Sequence, residues 1–203
     1  MSAPAFTKER FYTEHSLKHG IASLQRHVNR YKWAASHLEN GWDVLDAACG
    51  SGYGDPILLT VCEKVVGIDI SPDAVNYAIK KRDRLKMNHR LHYIQCSVAE
   101  ISAEIKNMKF DAVVSIETIE HVDERSQVKF LNGIKSVLKP NGVLLMTTPI
   151  KGTEPMTEYH VREFGASEFT SFLRARFSDV FFDSPEKFGV KDNFMLAVCR
   201  GAL

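Results

Sequence analysis

The stretch SIETIEHV at residues 115–122 sets two acids and a histidine, Glu117, Glu120 and His121, at positions i, i+3 and i+4. On a helical turn that spacing places all three on one face. An imidazole has an unperturbed pKa of about 6.5, so His121 can accept a proton from a reacting group while Glu120 orients the ring. A second chemistry adds His160, from KGTEPMTEYHVREF. Glu117, Glu120, His121 and His160 together make an oxygen and nitrogen donor set suited to magnesium, manganese or a similar divalent ion. Both readings stand at this stage. The base is the simpler one, because nothing in the sequence requires His160 to fold back onto His121.

A second constellation is DAACGSGYG at 46–54. Gly50, Gly52 and Gly54 follow a GxGxG pattern, whereas a dinucleotide loop requires GxGxxG, and position 55 is Asp. The carboxylate of Asp46 would repel a pyrophosphate and favour a cationic ligand. S-adenosylmethionine is such a ligand: it lacks phosphate, bears a sulfonium and an ammonium, and has a ribose diol that needs an acidic partner. VVGIDIS supplies that partner in Asp69, nineteen residues after Gly50.

Apolar runs of strand length must position these groups: WDVLDA, KVVGIDI, LHYIQC, FDAVVSI, GVLLMTT, FSDVFFD and NFMLAVC. Ser71-Pro72 opens a helix through about Arg84, and DERSQVKFLNGIKSVLK forms another, stopped by PNG at 140–142. Alternating strands and helices predict an α/β fold with a Rossmann-like, seven-stranded, mostly parallel sheet and helices on both faces. The connection SPEKFGVKD is too short for a crossover, so the last strand is antiparallel. Residues 8–38 are expected to form one or two helices over the sheet's carboxyl edge or side, since Ile21, Leu24, Val28, Tyr31 and Ala35 recur at helical spacing. The chain reads as one domain, 1–203, with a helical segment 1–40 and a core 41–203. Gly, Pro and Thr in 150–165 predict a loop over the acceptor.

VLDAACGSGYG, VVGIDIS, FDAVVSIETIEHV and LKPNGVLLMTTP occur in the order and spacing of the class I S-adenosylmethionine-dependent methyltransferases, which the chain resembles from WDVLDAACGSG to its final hairpin. The resemblance implies S-adenosylmethionine as cofactor and an enzyme moving a methyl group to an O or N of a small metabolite or sugar-type acceptor. It implies that Asp46, the backbone of Ala48, Cys49 and Gly50, and Gly52 contact the methionine part, and that Arg30 meets its carboxylate. Asp69 would bind the ribose hydroxyls, Ile70 would flank the adenine, Ser97 and the Val98 N–H would meet its edge, and Ser115 would line the pocket. Ser97 departs from the acid that many members carry there. The ExxEH motif with a later histidine is also similar to that of metal-dependent small-RNA 3′-terminal 2′-O-methyltransferases and, in part, of coenzyme Q O-methyltransferases.

Bulk properties bear on these alternatives. The 203 residues, 44% of them hydrophobic, suffice for one core, and 26 basic against 25 acidic residues leave no field suited to nucleic acid. The basic run KKRDRLK at 80–86 reads as a solvated helix end. No apolar run is long enough to span a bilayer, and MSAPAFTKERFYTEHS lacks a signal-peptide core, so a cytoplasmic protein is expected. Cys49, Cys62, Cys96 and Cys199 show no CxxC pair and are read as reduced thiols. A homodimer is compatible with all of this. An NAD-type oxidoreductase or a non-catalytic binding module is the remaining alternative.

Overall fold

The computed structural model describes residues 21–153 and 159–203, and the side chains from residue 25 onward within the first helix. The helix expected over 8–20, and the side chains of Ile21 and Leu24, lie outside that range. Seven strands form one sheet: β1 (Asp43–Ala47), β2 (Lys64–Asp69), β3 (Leu91–Gln95), β4 (Phe110–Ile116), β5 (Leu138–Pro149), β6 (Phe177–Asp183) and β7 (Phe194–Ala202). Their order is β3-β2-β1-β4-β5-β7-β6. Pairings from β3 through β5 are parallel, and β7 enters antiparallel between β5 and β6. The short turn after β6 thus makes the predicted hairpin.

Both faces are covered, which explains the nearly unbroken apolar strands. Val44, Val65, Val114 and Leu145 point to the face packed by α1 (Ile21–Ala35) and α2 (Asp55–Leu58), with Trp33, Ala34 and Leu58 buried there. Leu45, Val66, Val113 and Leu144 point to the other, under Phe130 and Ile134 of α5 (Glu124–Val137) and Phe169 and Leu173 of α6 (Ala166–Arg174). The first helix therefore lies on a sheet face, because Tyr31, Trp33, Ala34 and Ala35 bury an apolar stripe there. Two further helices are α3 (Pro72–Arg84) and the one-turn α4 (Ile101–Glu104).

Local chemistry sets several boundaries. Ser71 caps α3, its hydroxyl accepting the Ala74 N–H, and Asp123 caps α5 by accepting the Ser126 N–H. The PNG expected to follow α5 instead lies inside β5: the helix ends at Val137 and the strand starts at Leu138. Leu138 pairs with Phe110 and Val143 with Ala112, so Pro140, Asn141 and Gly142 bulge from the ladder, where a proline without an N–H is tolerated.

Strand order reverses between β1 and β4, and the crevice outside their carboxyl ends is where an open α/β sheet binds ligands. The loops after β1, β2 and β4 open onto it. No helix among the described residues is long and apolar enough to cross a membrane. Phe130→Ala is expected to lower unfolding free energy in urea by about 3–5 kcal/mol. Leu85→Ala, at a half-exposed helix end, should change it by less than about 0.5 kcal/mol.

Candidate active site

The loop after β1 departs from ordinary backbone geometry. Ala48 has φ 68°, Gly50 57° and Gly52 65°. The Cys49 N–H bonds the Ile68 carbonyl on β2, and the Gly52 N–H turns back to the Cys49 carbonyl. Above Gly50 a side chain would meet nothing within 4 Å, whereas at Gly52 it would collide with the Tyr93 hydroxyl. The two glycines thus serve different needs: Gly50 leaves room outside the loop, and Gly52 lets the loop close on its own support.

At the tip of β2, Asp69 accepts the Gly50 N–H at 3.0 Å through Oδ2 and the Ser71 N–H at 2.8 Å through Oδ1. One carboxylate therefore joins the glycine loop to the start of α3. Ile70, beside it, is 56% exposed, unusual for a large apolar residue in this chain. Cys49 is buried. Ser97 uses its hydroxyl oxygen to accept the Ala99 N–H at the start of a 3-10 turn, and Val98 is buried behind it. The Ser115 hydroxyl is buried and meets no hydrogen-bond partner among the described residues.

Asp46 lies beneath the loop, fully buried. Its Oδ2 accepts the Tyr31 hydroxyl from α1 at 2.9 Å, and its carboxyl lies within hydrogen-bonding reach of that of Asp55. Burial, followed by the neighbouring Asp55 charge, pushes Asp46 well above the usual carboxylate range. Asp55 in turn accepts the Tyr93 hydroxyl at 2.6 Å.

The structure separates Glu117 from the other candidate ligands. Glu117 takes φ 48°, and its side chain ion-pairs with Arg30, with His27 Nδ1 at 3.2 Å. Only 119–121 form a turn, a 3-10 one, so the expected shared face of Glu117, Glu120 and His121 does not exist. Arg30 is 2% exposed and stacks on the Phe194 ring at 4.4 Å. Its guanidinium, read as a partner for a ligand carboxylate, meets a carboxylate of the chain itself.

Glu120, His121 and His160 do come together, each offering a donor atom within 4.8 Å of the others, and the two rings lie 5.0 Å apart. The segment bearing His160 is stitched to the turn: Val161 and Arg162 N–H groups bond the Glu120 carbonyl, and Arg162 Nη1 bonds Gln127. His121 Nδ1 is 3.0 Å from the Tyr159 carbonyl, which only accepts, so Nδ1 bears the proton and the lone pair falls on Nε2. His160 Nδ1 is likewise 2.6 Å from Glu163. Burial alone would raise Glu163, but hydrogen bonds from His160 and the Gly152 N–H hold it below the ordinary carboxyl range. Glu120 is fully buried and raised by that burial; Thr148 donates to Oε2, while Oε1 receives no donor among the described residues.

Sequence reasoning passed over Tyr93, His27, Thr148 and Glu163, whose partners lie far along the chain or, for Glu163, three residues away on a loop. The departure of Asp55 from a dinucleotide pattern was the one visible signal for the acid pair. From the loop geometry, Gly50→Ala should cost only the left-handed strain of about 1–2 kcal/mol. Gly52→Ala should cost more, because it also displaces Tyr93; thermal melts of the two variants check the order.

A model of the methyltransferase-domain family matches residues 38–175. A probable S-adenosylmethionine-dependent methyltransferase of Mycolicibacterium smegmatis is 32% identical over 156 residues, 74% of this chain and 56% of the relative. The erythromycin 3″-O-methyltransferase of Saccharopolyspora erythraea is 31% identical over 127 residues, 62% of this chain and 40% of the relative. The fold matches the crystal structure of a SAM-dependent methyltransferase from Aquifex aeolicus with TM-score 0.72 at 19% identity, covering 97% of this chain and 100% of that one. The chain spans about half the length of the curated relatives it matches. With the family model covering most of its length and the sheet order, glycine loop and strand-tip acids in place, the chain belongs to the class I S-adenosylmethionine-dependent methyltransferases.

Proposed function

We propose that the protein transfers a methyl group from S-adenosylmethionine to an oxygen or nitrogen of a small-molecule acceptor. The observation that carries this reading is the Asp69 clasp on Gly50, with open space directly above that glycine. Bound there, the cofactor supplies an electrophilic methyl group on a sulfonium that leaves as a neutral thioether. Asp69 binds the ribose hydroxyls, Ile70 covers the adenine, and Ser97 with the Val98 N–H meets its edge. The backbone from Ala48 to Gly52, through Cys49 and Gly50, receives the methionine part. Asp46 holds that loop from below, Ser115 lines its floor, and Arg30, shared with Glu117, faces the cofactor carboxylate. A sugar or ring hydroxyl is the acceptor class we favour, in keeping with the erythromycin-modifying relative.

Methyl transfer from a sulfonium is an in-line displacement, so alignment and removal of the acceptor proton are what the chain must supply. His121 takes that proton on Nε2, since Nδ1 is held by the Tyr159 carbonyl. Glu120 beside it, with its unsatisfied Oε1, stabilises the imidazolium that results.

The same orphaned oxygen supports a second reading. Glu120, His121 and His160 bring possible ligand atoms within 4.8 Å of one another, and both rings have Nδ1 tied to an outer acceptor, as ligating histidines do. This set fits one small divalent cation, which would polarise the acceptor oxygen; Glu117 is not part of it.

Asp69→Ala is expected to weaken S-adenosylhomocysteine by about 1.5–3 kcal/mol in calorimetric titration, and unchanged affinity would remove the ribose assignment. His121→Ala should cut turnover by about 10²–10⁴ with cofactor affinity intact. Under the base reading EDTA leaves the wild type active and His160→Ala is mild. Under the metal reading EDTA abolishes turnover, and His160→Ala and Glu120→Gln are as damaging as His121→Ala.

A further inference from the structure

We propose that Asp55 is a positioning residue for the cofactor loop, sharing one proton with Asp46 beneath it. The proposal rests on the reading above that this loop holds the cofactor.

Each carboxyl has one oxygen taken by a tyrosine: Tyr31 donates to Asp46 Oδ2 and Tyr93 to Asp55 Oδ2. The other two oxygens, Asp46 Oδ1 and Asp55 Oδ1, are buried and receive no donor from any described residue, and the two carboxyls lie within hydrogen-bonding reach of each other. Ionised carboxylates only accept, so a bond between two of them requires a proton. Two bare carboxylates at this depth would repel each other.

The loop is hung on this pair. Asp46 is the next-to-last residue of β1, Asp55 opens α2, and between them the Gly52 carbonyl is held by Lys81 Nζ at 3.2 Å, with its Cα packed over Tyr93 and Asp55. The groups facing the pair are Tyr31 from α1, Asp69 from β2, Tyr93 from β3, Lys81 from α3, and Cys49 and Tyr53 from the loop. Among these Lys81 is the cation, acting on Asp55, and Asp69 adds further repulsion on Asp46. Both carboxyls are raised chiefly by burial, which agrees with a retained proton.

A carboxyl that keeps its proton only in the folded state binds that proton on folding, so stability falls as pH rises above the unfolded value of about 4. His27, whose imidazole is depressed by burial and by Arg30 and Arg26, acts in the opposite sense, so the informative quantity is the difference between variants. An asparagine replaces the shared proton with a permanent amide N–H. Relative to Asp55→Asn, the wild type should lose up to about tenfold in its folding constant, or about 3–5 °C in Tm, per pH unit as pH rises above the unfolded carboxyl value of about 4. Asp46→Asn is the mirror variant and should flatten the slope in the same way. Calorimetry should find S-adenosylhomocysteine binding weakened about tenfold or more in Asp55→Ala and restored in Asp55→Asn. Equal pH slopes in the wild type and both asparagine variants, or normal binding by Asp55→Ala, would overturn the proposal. If the wild type binds no S-adenosylhomocysteine, the cofactor reading fails, and the melting comparison still decides the shared proton.

Discussion

Four carboxyl groups, Asp46, Asp55, Asp69 and Glu120, are buried along the carboxyl edge of one sheet. Removing a carboxylate from water costs several kcal/mol unless donors replace the lost hydration, and much of the architecture around this edge consists of such donors. Tyr31 and Tyr93 serve the acid pair, the Gly50 and Ser71 N–H groups serve Asp69, and Thr148 serves Glu120. The unusual angles of the glycine loop follow from that demand, since the Gly50 N–H reaches Asp69 only when the chain turns through left-handed positions. Among the described residues Glu120 Oε1 receives no such donor.

The first helix extends this arrangement across the sheet. Its apolar side lies on one face, while His27, Arg30 and Tyr31 reach Glu117 and Asp46 at the strand tips. Further along, Trp33 Nε1 on the same helix and His37 Nε2 in the turn just after it both contact Asp183 Oδ2 at the end of β6, at 2.8 and 2.7 Å. One element thus ties the outermost strand to the ligand crevice. Membership in the methyltransferase family also accounts for the imperfect dinucleotide pattern: Asp55 occupies the place of the third glycine, which in a dinucleotide loop allows close packing of helix on strand, and here it accepts the Tyr93 hydroxyl instead.

Much of this protein was legible in the sequence because it depends on short-range physics. Strand-length apolar runs, the capping residues Ser71 and Asp123, and the spacing from Gly50 to Asp69 are each set within a few residues or one βαβ unit. Those features were enough for the seven-stranded sheet, its antiparallel last strand and the family. Spacing misled where it assumed a regular helix: Glu117 leaves the Glu120–His121 turn because its backbone adopts a positive φ and Arg30, far earlier in the chain, captures its side chain. The approach of His160 to His121 and of Asp55 to Tyr93 likewise spans tens of residues with no periodic signature. The sequence by itself determined the elements and the glycine loop after β1. Only the tertiary structure decided which charged groups meet, because burial pairs each of them with the donor that packing happens to bring within reach.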